Sequence, residues 1–144
     1  MIITRESIMQ ALFALLTASG PYQTTGRRLQ LWTQIAAQPA LFLRLSAEEY
    51  PARPTRIPPK TTIECEAWIY SKTGDPELAP DIALNALLDG VELALAPPPG
   101  EEAQTLGGLV THCWVEGRVE IHPGDLDNQA IAVVPIKMLV PTLV

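Results

Sequence analysis

Positive charge is scarce in this sequence: 10 lysines and arginines stand against 16 aspartates and glutamates, a formal net charge of −6 over 144 residues. Such a field opposes phosphate backbones and anionic lipid, which disfavours a nucleic-acid binder. Long hydrophobic runs are missing as well. The longest apolar stretches, around Ile8 to Leu16 and Ala130 to Val140, fall well short of the roughly 20 residues that span a bilayer. The opening Met1-Ile2-Ile3-Thr4-Arg5-Glu6 lacks the charged n-region, apolar core and small-residue cleavage site of a secretory signal, so synthesis in the cytoplasm is expected.

Cysteine and histidine number two each. Cys65 and Cys113 lie far apart in segments that read as strands, without a CxxC or a secretory context, and are expected to be buried thiols. His112 and His122 could in principle join Cys113, Asp125 and Asp127 around a metal, since imidazole, thiolate and carboxylate are all competent ligands. The spacing fits no zinc pattern, and neighbours in a strand such as His112 and Cys113 point to opposite faces. Asp125-Leu126-Asp127-Asn128 lacks the glycine and distal glutamate of a calcium loop and reads as a polar turn. A Cys65–His112 nucleophilic pair would need strand pairing to bring the two together and has no third group to orient the base. Gly107-Gly108 precedes a strand and has no P-loop lysine, so it is a turn. No enzyme, cofactor or metal is expected.

Apolar residues are abundant instead. A hydrophobic fraction of 47% with 18% charged residues is rich for a chain of one-domain size, and other subunits are expected to cover part of that surface. Thr4 is placed to cap a first helix carrying Ile8, Leu12, Leu15 and Leu16, which Gly20-Pro21 stops. Arg27-Arg28-Leu29-Gln30-Leu31-Trp32 alternates briefly, as a short strand would, and Ala40 to Leu45 is a clearer strand. Residues 47–60 hold Pro51, Pro54, Pro58 and Pro59 beside Arg53, Arg56 and Lys60, a composition that reads as an exposed arm.

From Thr61 to Tyr70 the residues Ile63, Cys65, Ala67 and Ile69 alternate with Thr62, Glu64, Glu66, Trp68 and Tyr70, a strand with one buried face. Pro80-Asp81 opens a second helix with Leu84, Leu88, Val91 and Leu95 on one side, ended by Pro97-Pro98-Pro99-Gly100. Leu109 to Ile121 alternates again around Gly117, and Ala130 to Val140 is a last strand before Pro141. That order predicts one α+β domain over residues 1–144, an antiparallel sheet with two helices packed on one face. Arg27, Arg28, Trp32, Arg53, Arg56, Trp68 and Tyr70 are the candidate interface residues, cationic or amphipathic groups of the kinds enriched where proteins meet.

The order of Arg27-Arg28-Leu29-Gln30-Leu31-Trp32, Gln38-Pro39-Ala40-Leu41-Phe42, Leu106-Gly107-Gly108-Leu109, Gly117, Pro123-Gly124-Asp125, Ala130 to Ile136 and Val140-Pro141 resembles the tail terminator family of long-tailed bacteriophages, also described as tail completion or minor tail protein U-like. The resemblance covers nearly the whole chain and carries no catalytic signature. It implies a virion structural protein that forms a hexameric ring at the head-proximal end of the tail. Its partners would be the tail tube protein and a head–tail connector or stopper protein, with DNA passing through the lumen without specific binding. Acidity repeated around such a ring would repel that DNA, and a closed ring needs a heterologous interface. The competing readings are a small monomeric ligand-binding or adaptor domain and a His/Cys metal protein.

Overall fold

The structure, a computed structural model, describes residues 3–51, 60–75, 77–124 and 128–141. Thr4 caps the first helix, α1 (Arg5–Thr17), as expected. Its hydroxyl accepts from the Ser7 N–H at 3.1 Å while the Ser7 hydroxyl accepts from the Thr4 N–H at 3.0 Å, so two otherwise unpaired donors are satisfied reciprocally. Ile8, Met9, Leu12 and Leu16 are its buried stripe, with Leu15 half-buried beside them.

Among the described residues six strands form one sheet: β1 (Thr24–Gly26), β2 (Ala40–Glu49), β3 (Thr61–Lys72), β4 (His112–Val115), β5 (Glu120–His122) and β6 (Gln129–Val140). Their order is β1-β2-β3-β6-β4, with β5 also paired to β6 beyond the end of β4. Every pairing is antiparallel except β1 with β2, a three-residue parallel contact at one edge. The second helix, α2 (Asp81–Leu95), joins α1 on the same face of the sheet. The α+β reading with both helices on one side is therefore the observed architecture.

Alternation decides the two faces. Leu41 and Leu43 of β2, Ile63, Cys65, Ala67 and Ile69 of β3, and Ala132, Val134, Ile136 and Met138 of β6 meet both helices in the main core. In α2 the fully buried stripe is Leu84, Leu87, Val91 and Leu95, so Leu87 takes the place expected for Leu88, which is half-buried at its flank. α2 touches the backbone just beyond α1 at Gly90, where a Cβ would be driven into the carbonyl oxygen of Ser19. Gln104 closes α2 by donating from Nε2 to the carbonyls of Ala94 and Ala96, both at 3.2 Å, so these helix-end acceptors are not left unpaired.

Three local expectations need correction. Residues 27–32 are not a strand: β1 ends at Gly26, and Trp32–Gln34 is a single turn of 3-10 helix. Tyr70 accounts for the path, since its hydroxyl donates to the Gln30 carbonyl at 2.8 Å and holds the segment across the sheet face instead of beside another strand. Ala47–Glu49, assigned to the arm, instead continue β2 past a bulge between Leu45 and Ala47, pairing with Thr62 to Glu64. The arm thus joins the two strands of a long hairpin, and Arg53 and Arg56 lie outside the described residues.

The third concerns Leu109 to Ile121, which is not one strand but two short ones. The Glu116 N–H donates to the Pro135 carbonyl at 3.3 Å, so the side of Pro135 facing this edge is also where its missing N–H would point. Gly117 sits at that gap with φ +115, and a Cβ built on it would lie 3.4 Å from the Pro135 ring. Having no donor opposite it, the ladder breaks, and β4 and β5 pair with β6 on either side of the proline.

Candidate assembly interfaces

The sheet face away from the helices carries a smaller cluster, Ala40, Phe42 and Tyr70, against which Leu29, Ile35, Trp68 and Ile131 pack. Phe42 and Tyr70 meet edge to face, ring centroids 5.9 Å apart. The segment after β1 is the lid of this cluster. Beneath it Tyr70 is only 2% exposed, so of the two aromatics assigned to the outer face, one is sealed inside the subunit. Trp68 is half-buried, and its indole N–H is shut from solvent without an acceptor among the described residues. The lid itself exposes Leu31 and Trp32, 59% and 43% exposed, next to Arg27 and Arg28. Arg27 pairs with Glu6 at 2.6 Å, whereas Arg28 makes no ion pair among the described residues.

Further along the same face the cluster gives way to charge. Glu66 pairs with Arg44 at 3.5 Å, and Lys137 bridges Glu64 at 3.2 Å and Glu116 at 2.7 Å. Hydrogen bonds from Lys137 and then from the Trp114 indole hold the Glu116 carboxyl below its ordinary range, and those with Glu116 and Glu64 raise the Lys137 ammonium. At the start of the arm Arg5 pairs with Glu48 and donates to the Tyr50 hydroxyl at 2.9 Å. The bond from Arg5 lowers the Glu48 carboxyl.

A different surface lies on the helix side, at the edge made by β4 and β5. Leu88, Val91, Glu92, Val115, Val119, Ile121 and Val134 line a groove of about 420 Å³ between α2 and the strands. Val115 and Ile121 are 37% and 47% exposed although they share the core's face of the sheet, because the helix layer ends before it reaches them. Outward from the buried stripe of α2, Ile82 and Leu93 project into solvent about three turns apart. None of these residues was among the candidate interface residues. Their alternation in the sequence marks a face but not how far the helices cover it.

The groups considered for chemistry are kept apart. His112 faces away from the helices, accepting at Nδ1 from the Gln104 N–H at 3.3 Å and stacking on Trp114 with centroids 5.0 Å apart. Cys113 points the other way into the core, as does Cys65, whose thiol lies 3.3 Å from the Met9 sulfur. Burial pushes both thiols up to about 12, which keeps them protonated and poor nucleophiles. His122 is exposed on β5. Among the described residues no three of His, Cys, Asp and Glu gather as a metal set; Asp125 and Asp127 lie outside them. No described helix is long and apolar enough to cross a membrane.

No protein-family model matches the sequence, and neither does any curated protein. Among solved structures, the chain is similar to one from the virion of a native gene transfer agent particle, with a TM-score of 0.50 and 11% sequence identity, covering 91% of this chain and 84% of that one. At that identity the likeness is one of fold.

Proposed function

We propose that this chain is a structural subunit of a phage-like virion, a tail terminator that closes into a ring, six-membered by the resemblance, at the head-proximal end of a tail tube. The observation that carries the reading is the shared fold with a gene transfer agent virion chain over 91% of this sequence. The residue pattern that resembles the terminator family adds to it independently. In this reading the subunit works by shape. It ends tube polymerisation, offers a surface to the connector or stopper protein, and lets DNA pass through a lumen that an acidic protein leaves unattractive to phosphate.

The arm is assigned to the same task. Pro51, Pro54, Pro58 and Pro59 restrict the free chain, so less entropy is lost on docking, while Arg53, Arg56 and Lys60 concentrate positive charge in an acidic protein. Arg5, Glu48 and Tyr50 brace its near end. Such a segment suits a contact with a neighbouring subunit or with the tube.

Negative-stain imaging with purified tail tubes tests the reading: rings, free or seated on one end of each tube, are expected. A strictly monomeric protein at high concentration that also ignores tubes overturns it in favour of an adaptor domain. Replacing residues 52–59 by a short Gly-Ser linker is expected to leave a folded subunit that gives overlong tails or tails without heads. Normal tails from that variant remove the arm from the proposal.

A further inference from the structure

Two unmatched surfaces have complementary form. The lid after β1 is a ridge: Leu31 and Trp32 stand out from it, with Arg28 beside them. The groove between α2 and β5 is an apolar trough with one acidic side chain, Glu92, in its wall. Glu92, like Arg28, makes no ion pair among the described residues. The ridge lies on the sheet face away from the helices and the groove on the helix side, so one copy cannot bring its own two surfaces together.

From this we propose that the groove receives the ridge of a second copy of this chain, Trp32 and Leu31 entering between Leu88, Val115, Val119 and Ile121 while Arg28 meets Glu92. A contact in which one patch meets a different patch is heterologous, and repetition of it gives a closed ring when the rotation between copies closes. A large aromatic flanked by arginine is the type of side chain that dominates such contacts, and charge complementarity at the rim fixes its register. The inference rests on the ring reading and specifies which surfaces build the ring.

The test uses the full chain and two exposed positions, which disturb folding little. Trp32→Glu removes the ridge and Ile121→Lys the groove. Each is expected to keep the wild-type circular dichroism spectrum and melting temperature but to assemble at least tenfold more weakly by sedimentation velocity and native mass spectrometry, or to be lost from tube ends where assembly needs tubes. Mixed together, the two retain one good ridge and one good groove, and heterodimers with nothing larger are expected. Arg28→Glu should weaken assembly, most at low salt, and a chain carrying both Arg28→Glu and Glu92→Arg should recover it. Wild-type rings from either single variant, a mixture that yields only monomers, or no recovery by the charge swap overturns the docking while leaving the ring in place. A wild type that never assembles, with or without tubes, overturns both.

Discussion

On the helix side of the sheet, Leu12, Leu16, Leu41, Ile63, Ile69, Leu84, Ile136 and Met138 interlock without a single ionised group; on the other side, Phe42 and Tyr70 form a small cluster under a loop and the rest is Arg44, Glu64, Glu66, Glu116 and Lys137 in exposed pairs. The first arrangement draws its stability from apolar area removed from water, the second from contacts that solvent already weakens. A subunit organised this way can change its outer face and edges with little effect on whether it folds, which suits surfaces meant for partners.

The difference should be largest at alkaline pH. Cys65 and Cys113 stay neutral in the folded core, pushed up to about 12 by burial, but ionise near 9 once exposed. The unfolded state therefore releases protons first, and stability falls as pH rises from about 9 toward 12. Urea midpoints measured across that range should show the fall, and a Cys65→Ala, Cys113→Ala double variant should show a shallower one. Equal slopes would mean that the thiols are not sealed.

Truncation in the core comes next. Leu12→Ala is expected to cost about 2–5 kcal/mol in urea unfolding, whereas Arg44→Ala on the far face should stay within about 0.5 kcal/mol. Comparable losses would break the distinction between the faces. Gly90→Ala should cost about 1–3 kcal/mol, because the added methyl must push α2 from Ser19. Most helix-interior Gly→Ala changes stabilise, so the sign alone reports whether α2 touches the Ser19 backbone there.

Tyr70→Phe probes the small cluster on the far face and should cost about 0.5–1.5 kcal/mol. Its sharper readout is local: with the Gln30 carbonyl released, trypsin should cut after Arg27 or Arg28 faster than in the parent while the core resists. The smallest effect is expected in acid. The Glu116 and Glu48 carboxyls are held below their ordinary range by Lys137 and Arg5, so their contribution is present at neutral pH and fades as pH falls below about 4.5 through the lowered values. Lys137→Met should flatten the Glu116 part of that fall, and an unchanged acid slope would show that the pair is idle.

Much of the fold could be read in the residues themselves. Thr4 announces a helix start, the strict alternation from Thr61 to Tyr70 announces a strand with one apolar face, and Pro80 and Pro97 bracket α2. The shortcomings share a cause. Alternation tells which residues share a side but not what lies over that side, so Arg27 to Trp32 resembles a strand when it is a lid, Tyr70 looks exposed when it is covered, and Val115 and Ile121 look buried when the helices stop short. Of the candidate interface residues, Trp32 and Arg28 are exposed together, Trp68 and Tyr70 lie beneath their segment, and Arg53 and Arg56 lie outside the described residues.

Pro135 has a consequence for growth. A sheet with a free margin invites another chain to add to it strand by strand, the route by which fibres extend. Here the margin comes in pieces, four residues in β4 and three in β5, because the proline withholds the hydrogen bond that would have joined them. An incoming strand would gain a few bonds and then meet Gly117 turned aside. Copies crowded at one place are left to meet through side chains, at an angle, and a contact with an angle can be made to stop.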